Sequence, residues 1–199
     1  AAVKIIRRQT NQLIMKKLQF IWVASLCLLA ASVPAQDTNA LKTVIGAFEA
    51  QTGVLMVKSF GTIGSMSVGA AEISVRGKET WEVNTSHKLH GLDIEITGND
   101  PARERIMVDE DEIAALLGAM DYLLKITSDV TTLPSFDATY TTKCGLRFSA
   151  YSVRKNGGIQ MFLQYDDHPR MALTTAQIAQ LYALIDQAAK ALDALPPGK

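Results

Sequence analysis

Two stretches of this 199-residue chain, RIMVDEDEIAALLGAMDYL at 105–123 and RMALTTAQIAQLYALIDQA at 170–188, align without a gap at an offset of 65. Arg105/Arg170, Ile113/Ile178, Ala114/Ala179, Leu116/Leu181 and Asp121/Asp186 are identical. The copies also agree in mechanism where they differ in residue, which restricts the chain to folds built from two similar units. Asp109 with Glu112, and Thr174 with Gln177, have the spacing of a capping box, in which the first side chain accepts from an orphan amide and the second reaches back. Both copies are therefore expected to start a helix at the same repeat position. Beyond each cap the apolar residues fall at helical spacing: Ile113, Leu116, Leu117, Met120 and Leu124, then Ile178, Leu181, Tyr182, Ile185 and Leu192.

Upstream of each cap lies a short apolar run, Ile106 to Val108 and Met171 to Leu173. Before it comes an alternating strand, Leu92, Ile94, Ile96 in one copy and Ile159, Met161, Leu163, Tyr165 in the other. Breaker-rich turns join these pairs, Gly98-Asn99-Asp100-Pro101 and Asp166-Asp167-His168-Pro169. Further back, Ser74-Val75-Arg76 matches Ser152-Val153-Arg154 if the first copy carries an insertion of about a dozen residues between Gly77 and His90, a length loops tolerate. First strands are expected at Val54 to Phe60 and Ala138 to Cys144, and Asn156-Gly157 is a strong hairpin signal.

Each unit thus reads as three to four antiparallel strands followed by an α-helix, an α+β fold with repeats at 54–127 and 137–199 and a linker at 128–136. An extra amphipathic helix is expected from Thr38 to Gln51, within the segment 36–53, with Leu41, Val44, Ile45 and Phe48 on one side and Gly53 as its stop. Units this small bury too little surface to stand alone without staples, so the two should pack as a pseudo-two-fold pair. Pro196-Pro197-Gly198-Lys199 ends the last helix.

Residues 15–35 have the form of a secretory signal: Met15-Lys16-Lys17, an apolar stretch from Leu18 to Ala31, and Val33-Pro34-Ala35 as a cleavage site. Residues 1–14 are then an upstream segment outside the fold, and an uncleaved anchor is the alternative. Leu26 precedes Cys27 where a lipoprotein signal would have a small residue. Removing residues 1–35 leaves 15 basic and 20 acidic residues, a net charge of −5, and one cysteine, Cys144, so an internal disulfide is excluded for the mature chain. The expected location is secreted or periplasmic, with no membrane span after cleavage.

Among candidate chemistry, His87 and His90 could ligate a metal with Asp93 or Glu82, although zinc requires three or four ligands in fixed geometry; a solvated loop is the plainer reading. Arg105 and Arg170 share a repeat position and could bind an anionic ligand together across the pseudo-two-fold axis, or simply pair with carboxylates. The acidic run Asp109 to Glu112 has a sufficient job at a helix start. Gly61, Gly64 and Gly69 lack phosphate-loop spacing and suit a bulged strand or hairpin. Ser65 and Ser67 lack the flanking glycines of a nucleophile elbow. Asn84-Thr85-Ser86 fits a glycosylation acceptor. Cys144 reads as a structural thiol.

Several strands followed by a helix, used twice, resembles the architecture of the PC4 and Whirly type of single-stranded nucleic-acid binders, over the two units but not the N-terminal helix. That resemblance would imply nucleic-acid binding. The export signal, the charge of −5 and the lack of a basic, aromatic-interleaved strand face oppose it, Arg147, Arg154 and Lys155 being one modest basic cluster. The sequence therefore points to an exported, non-enzymatic binding or envelope-associated module with an unknown protein or small-molecule partner and no cofactor. A metal-dependent hydrolase using His87 and His90 is the enzymatic alternative.

Overall fold

The computed structural model describes residues 42–98, 103–152 and 158–196. The expected upstream and signal segments, Leu41, Asn99-Asp100-Pro101, Val153, Arg154, Lys155, Asn156-Gly157 and the last three residues lie outside the described residues. In chain order the elements are α1 (Val44–Glu49), β1 (Met56–Val68), β2 (Ala71–Glu82), β3 (Lys88–Thr97), β4 (Arg103–Asp109), α2 (Glu110–Lys125), β5 (Asp137–Thr141), β6 (Leu146–Ser152), β7 (Ile159–Tyr165), β8 (Met171–Leu173) and α3 (Thr175–Asp193). The fold is α+β, with two antiparallel four-stranded sheets in the orders β1-β2-β3-β4 and β5-β6-β7-β8. Among the described residues no helix is long and apolar enough to cross a membrane.

Alternation along the strands decides which face is buried. Ile73 and Val75 of β2, Leu92 and Ile94 of β3, and Ile106 and Val108 of β4 point one way; Leu146, Phe148 and Ala150 of β6, with Met161 and Leu163 of β7, do the same in the second sheet. These join Ile113, Leu116, Met120 and Leu123 of α2 and Ile178, Leu181, Ile185 and Leu192 of α3 in one apolar cluster. The helices pack on each other, and α3, which follows the second sheet, lies across β1, β2 and β3 of the first. Meanwhile α2 touches β3 and β4 on one side and β5 and β6 on the other. The core is therefore shared, because each sheet's apolar face is closed partly by the helix that follows the other.

Several elements differ from the sequence expectation. The first strand continues from Met56 through the glycine-bearing stretch to Val68, with a bulge between Thr62 and Gly64. A Cβ on Gly64 would lie 2.8 Å from Leu184 Cδ2, so α3 packs directly against the strand at the bulge. The segment from Gly77 to His90 is not an inserted loop: Gly77 to Glu82 continue β2, Lys88 to His90 begin β3, and Thr80 and Trp81 pair with Leu89 and Lys88. These β-forming residues lengthen the hairpin instead of bulging from it. Register also revises the match of Ser74-Val75-Arg76. Val75 lies opposite Ile94 and Ile94 opposite Ile106, while Phe148 lies opposite Leu163 and Leu163 opposite Met171, so Val75 takes the place of Phe148, not Val153.

In the second sheet β5 stops at Thr141, and Cys144 falls in the turn that follows, where Gly145 has φ +94°. The first helix among the described residues is six residues long, ending at Glu49 where the expectation ran to Gln51, with Thr38 to Leu41 outside the described residues; Thr43 caps it by accepting from the Gly46 amide at 3.0 Å. It rests on the outer side of the first sheet at Gly91, where an added Cβ would collide with Ile45 and with the Val108 carbonyl.

A shared core has a mechanical consequence. Leu181 is fully buried, so Leu181→Ala should cost about 2–5 kcal/mol. Urea unfolding should remain one transition with an unchanged slope. A biphasic curve, with one sheet outlasting the other, would contradict the shared core.

Candidate binding site

Asp109 ends β4 and stands at the N-cap of α2, yet its side chain makes no capping bond to that helix. The expected Asp109/Glu112 capping box is absent, whereas the Thr174/Gln177 box is present in full. Asp109 instead serves α1: its Oδ2 accepts from the Val44 amide at 2.8 Å and its Oδ1 from the Ile45 amide at 3.1 Å. Lys143, in the turn between β5 and β6, adds its Nζ to Oδ2 at 3.3 Å. Glu112 is diverted the same way, its Oε1 accepting from the Lys143 amide at 2.8 Å. Charge-assisted bonds are the stronger ones, so two acids offered Lys143 and a pair of orphan amides leave their own helix end. Glu110, Asp111 and Glu112 remain in the first turn of α2, where their charge suits the macrodipole.

This junction is electrostatically polarised. Lys143 is held above its usual range by its hydrogen bond to Asp111, with Asp109 adding to it and slight desolvation opposing. Burial pushes the Glu112 carboxyl up, and the nearby negative charges of Asp109 and Asp111 add to this; the Lys143 amide and charge oppose it. The Glu112 Oε2 is buried without a hydrogen-bond partner.

Beside the junction lies a cleft of about 480 Å³ between Val44 and Ile45 of α1, Leu89 and His90 of β3, and residues 109–111. His90 is 5% exposed; its Nε2 is 3.1 Å from Glu79 Oε2 and its Nδ1 is 3.9 Å from Glu110 Oε2. That bond from His90 is the main reason the Glu79 carboxyl sits low, with Lys88 helping and burial opposing. His87 is exposed in the β2–β3 turn and meets Phe48 edge-on, 5.2 Å between ring centroids. Of the other ligands considered, Asp93 is bound to Arg76 at 2.7 Å and Glu82 accepts from Thr85 at 2.7 Å. The two histidines thus have separate partners, and among the described residues no three His, Cys, Asp or Glu side chains are grouped to hold a metal ion.

Arg105 and Arg170 lie over different aromatic rings. Arg105 is on the outer face of the first sheet, its side chain 56% exposed, with Nε 3.6 Å from Glu95 Oε2. Its guanidinium lies 5.9 Å from the centroid of the Phe60 ring, which also receives Arg76 at 5.1 Å and Lys78 at 5.6 Å. Arg76 in turn holds Asp93 and Glu95 at 2.7 and 2.9 Å, leaving Arg76 Nε and Asp93 Oδ1 buried and unpartnered. Next to them Glu49 of α1 takes Lys58, Lys78 and Thr80; burial raises its carboxyl, but these bonds together outweigh burial and hold it low. Arg170 lies in the loop just before β8, where its Nε donates to Gln164 at 3.3 Å and its guanidinium lies 5.3 Å from the Tyr151 centroid. Tyr151 meets Phe162 in a T-shaped contact at 5.7 Å.

Strand alternation puts Arg147, Ser149 and Tyr151 of β6 and Gln160, Phe162 and Gln164 of β7 on that same outer face, opposite the buried residues between them. The outer face of the second sheet therefore carries Tyr151 and Phe162 with one strand arginine, Arg147, and Arg170 laid over Tyr151 from the loop before β8. Its signal was in the sequence, but it emerges only once the buried parity of β6 is known. Cys144 is buried, 3.0 Å from Thr142 Oγ1, and burial pushes its thiol up, away from the reactive thiolate. No protein-family model matches the chain, and no curated protein matches it.

The carboxyls predict a pH response of mixed sign. Glu49 and Glu79 lie below the ordinary value of 4.5, so their stabilisation is present above it and is lost as pH falls through their folded values. Glu112 is raised, so its contribution is present below 4.5 and is lost as pH rises through its folded value. Glu112→Gln should accordingly raise the thermal midpoint at pH 7 more than at pH 4; a lowered midpoint at pH 7 would refute this assignment.

Proposed function

We propose that this chain is an exported, non-enzymatic binding module of the cell exterior or periplasm, built as two tandem repeats packed as a pseudo-two-fold pair. The repeat reading is supported by α2 and α3 starting at Glu110 and Thr175, the sequence offset of 65, with strands ending in the same register before them. Export is supported by the signal-like sequence at residues 15–35. One observation carries the binding reading. Arg105 and Arg170, at the same repeat position, each lay a guanidinium over an aromatic ring on an outward sheet face. Arginine and aromatic side chains are those that dominate interfaces, and a cation lying over a ring is already ordered before a partner arrives.

The Arg105→Ala/Arg170→Ala double variant tests this reading. Sedimented with isolated envelope material, the wild-type chain should bind and the double variant should bind about tenfold less, the worth of a lost arginine anchor. Its thermal midpoint should barely move. Failure of the wild type to sediment, or equal binding by the variant, would remove the basis of the proposal.

The second outer face supports one other reading, single-stranded nucleic-acid binding, through Tyr151 and Phe162 flanked by Arg147 and Arg170. The charge of −5 after removal of residues 1–35 weighs against it. Affinity for a single-stranded oligonucleotide that falls steeply with salt and is weakened by Tyr151→Ala would favour this reading over the first.

A further inference from the structure

On the seam between the two sheets lies a pocket of about 190 Å³ whose lining includes neither Arg105 nor Arg170 and no residue of the His90 cleft. Ala71, Ile96 and Glu104 of the first sheet close one side, and Tyr165, His168 and Met171 close the other. His168 reaches across the seam, its Nε2 3.4 Å from Glu104 Oε1, with the two side chains 50% and 31% exposed. Its ring is nearly parallel to that of Tyr165, at 11° and 6.0 Å between centroids. The site exists only where both sheets meet.

The lining narrows what could fill it. A carboxylate at the wall repels an anion. A wholly apolar guest would strip water from Glu104 and give nothing back. A metal ion would need more ligands than Glu104 and His168 supply, and no group of three is present among the described residues. A compact cation with an apolar body suits the walls: its charge faces Glu104, where it would share the carboxylate with His168, and its methyl or methylene groups meet Ile96, Met171 and the edge of the stacked Tyr165–His168 pair. The volume is below that of sites for drug-sized ligands, which limits the guest to a few heavy atoms. We propose that the seam pocket binds a small alkylammonium group, supplied by a free amine or by the lysine side chain of a partner.

Titration of the chain with tetramethylammonium chloride and with n-butylammonium chloride, followed by the methyl resonances of Met171 and Ile96, tests this directly. At least one amine should give saturable shifts that sodium chloride at equal ionic strength does not. Glu104→Gln, which keeps the shape, should weaken binding about tenfold, and His168→Gln should leave the amine bound. Tighter binding of n-butylammonium would point to a lysine side chain, and tighter binding of tetramethylammonium to a free quaternary amine. No saturable shift from either amine up to about 100 mM, a weak limit even for so small a ligand, would overturn the proposal, as would shifts that Glu104→Gln leaves unchanged.

Discussion

The Asp109 carboxylate is the constraint around which the polar part of this structure is arranged. It is 3% exposed, so its charge must be met from within the protein, and it is met from two directions. The Val44 and Ile45 amides bring α1 to it, and Lys143 brings the turn between β5 and β6. A single residue at the end of β4 thereby ties α1 to the turn between β5 and β6. Glu112, one turn along α2, repeats the tie by accepting from the Lys143 backbone. Both links cost α2 its local side-chain cap, which the corresponding Thr174 and Gln177 keep for α3.

This polar tie works because the apolar part is already shared. With α3 across the first sheet and α2 bridging β3 and β4 to β5 and β6, the two sheets are held by the same cluster of side chains. The outer faces are then left for charge. On the first, Arg76, Lys78, Asp93, Glu95 and Glu49 neutralise one another around Phe60, and α1 rests beside them over Gly91. The second has fewer acids and keeps Tyr151, Phe162 and Arg170 at its surface. The two faces are unlike in chemistry, although each carries an arginine over a ring.

Much of this was legible in the sequence, for reasons that are themselves local. Period-two alternation at Leu92, Ile94 and Ile96, and helical spacing at Ile178, Leu181 and Ile185, depend on burial of one face, and both sets turn inward as expected. The Thr174/Gln177 box depends on neighbours three residues apart, and it forms. Asp109 and Glu112 have identical spacing, but the donors that claim them come from residues at least 31 positions away, which spacing cannot disclose. His90 likewise acquires Glu79 by strand pairing, and Arg105 and Arg170, at one repeat position, meet different rings, Phe60 and Tyr151. Local periodicity reveals which face is buried; it does not reveal which long-range donor a charged side chain will meet.

The direct measurement of the Asp109 tie is hydrogen exchange of the Val44 and Ile45 amides in Asp109→Ala against the wild type. A lost cap is worth about 1 kcal/mol, so both amides should exchange roughly fivefold to tenfold faster, while the amides of α3 beyond its first turn keep their relative protection. Unchanged protection of Val44 and Ile45, or an equal loss throughout the chain, would mean that the junction does not hold α1 in place.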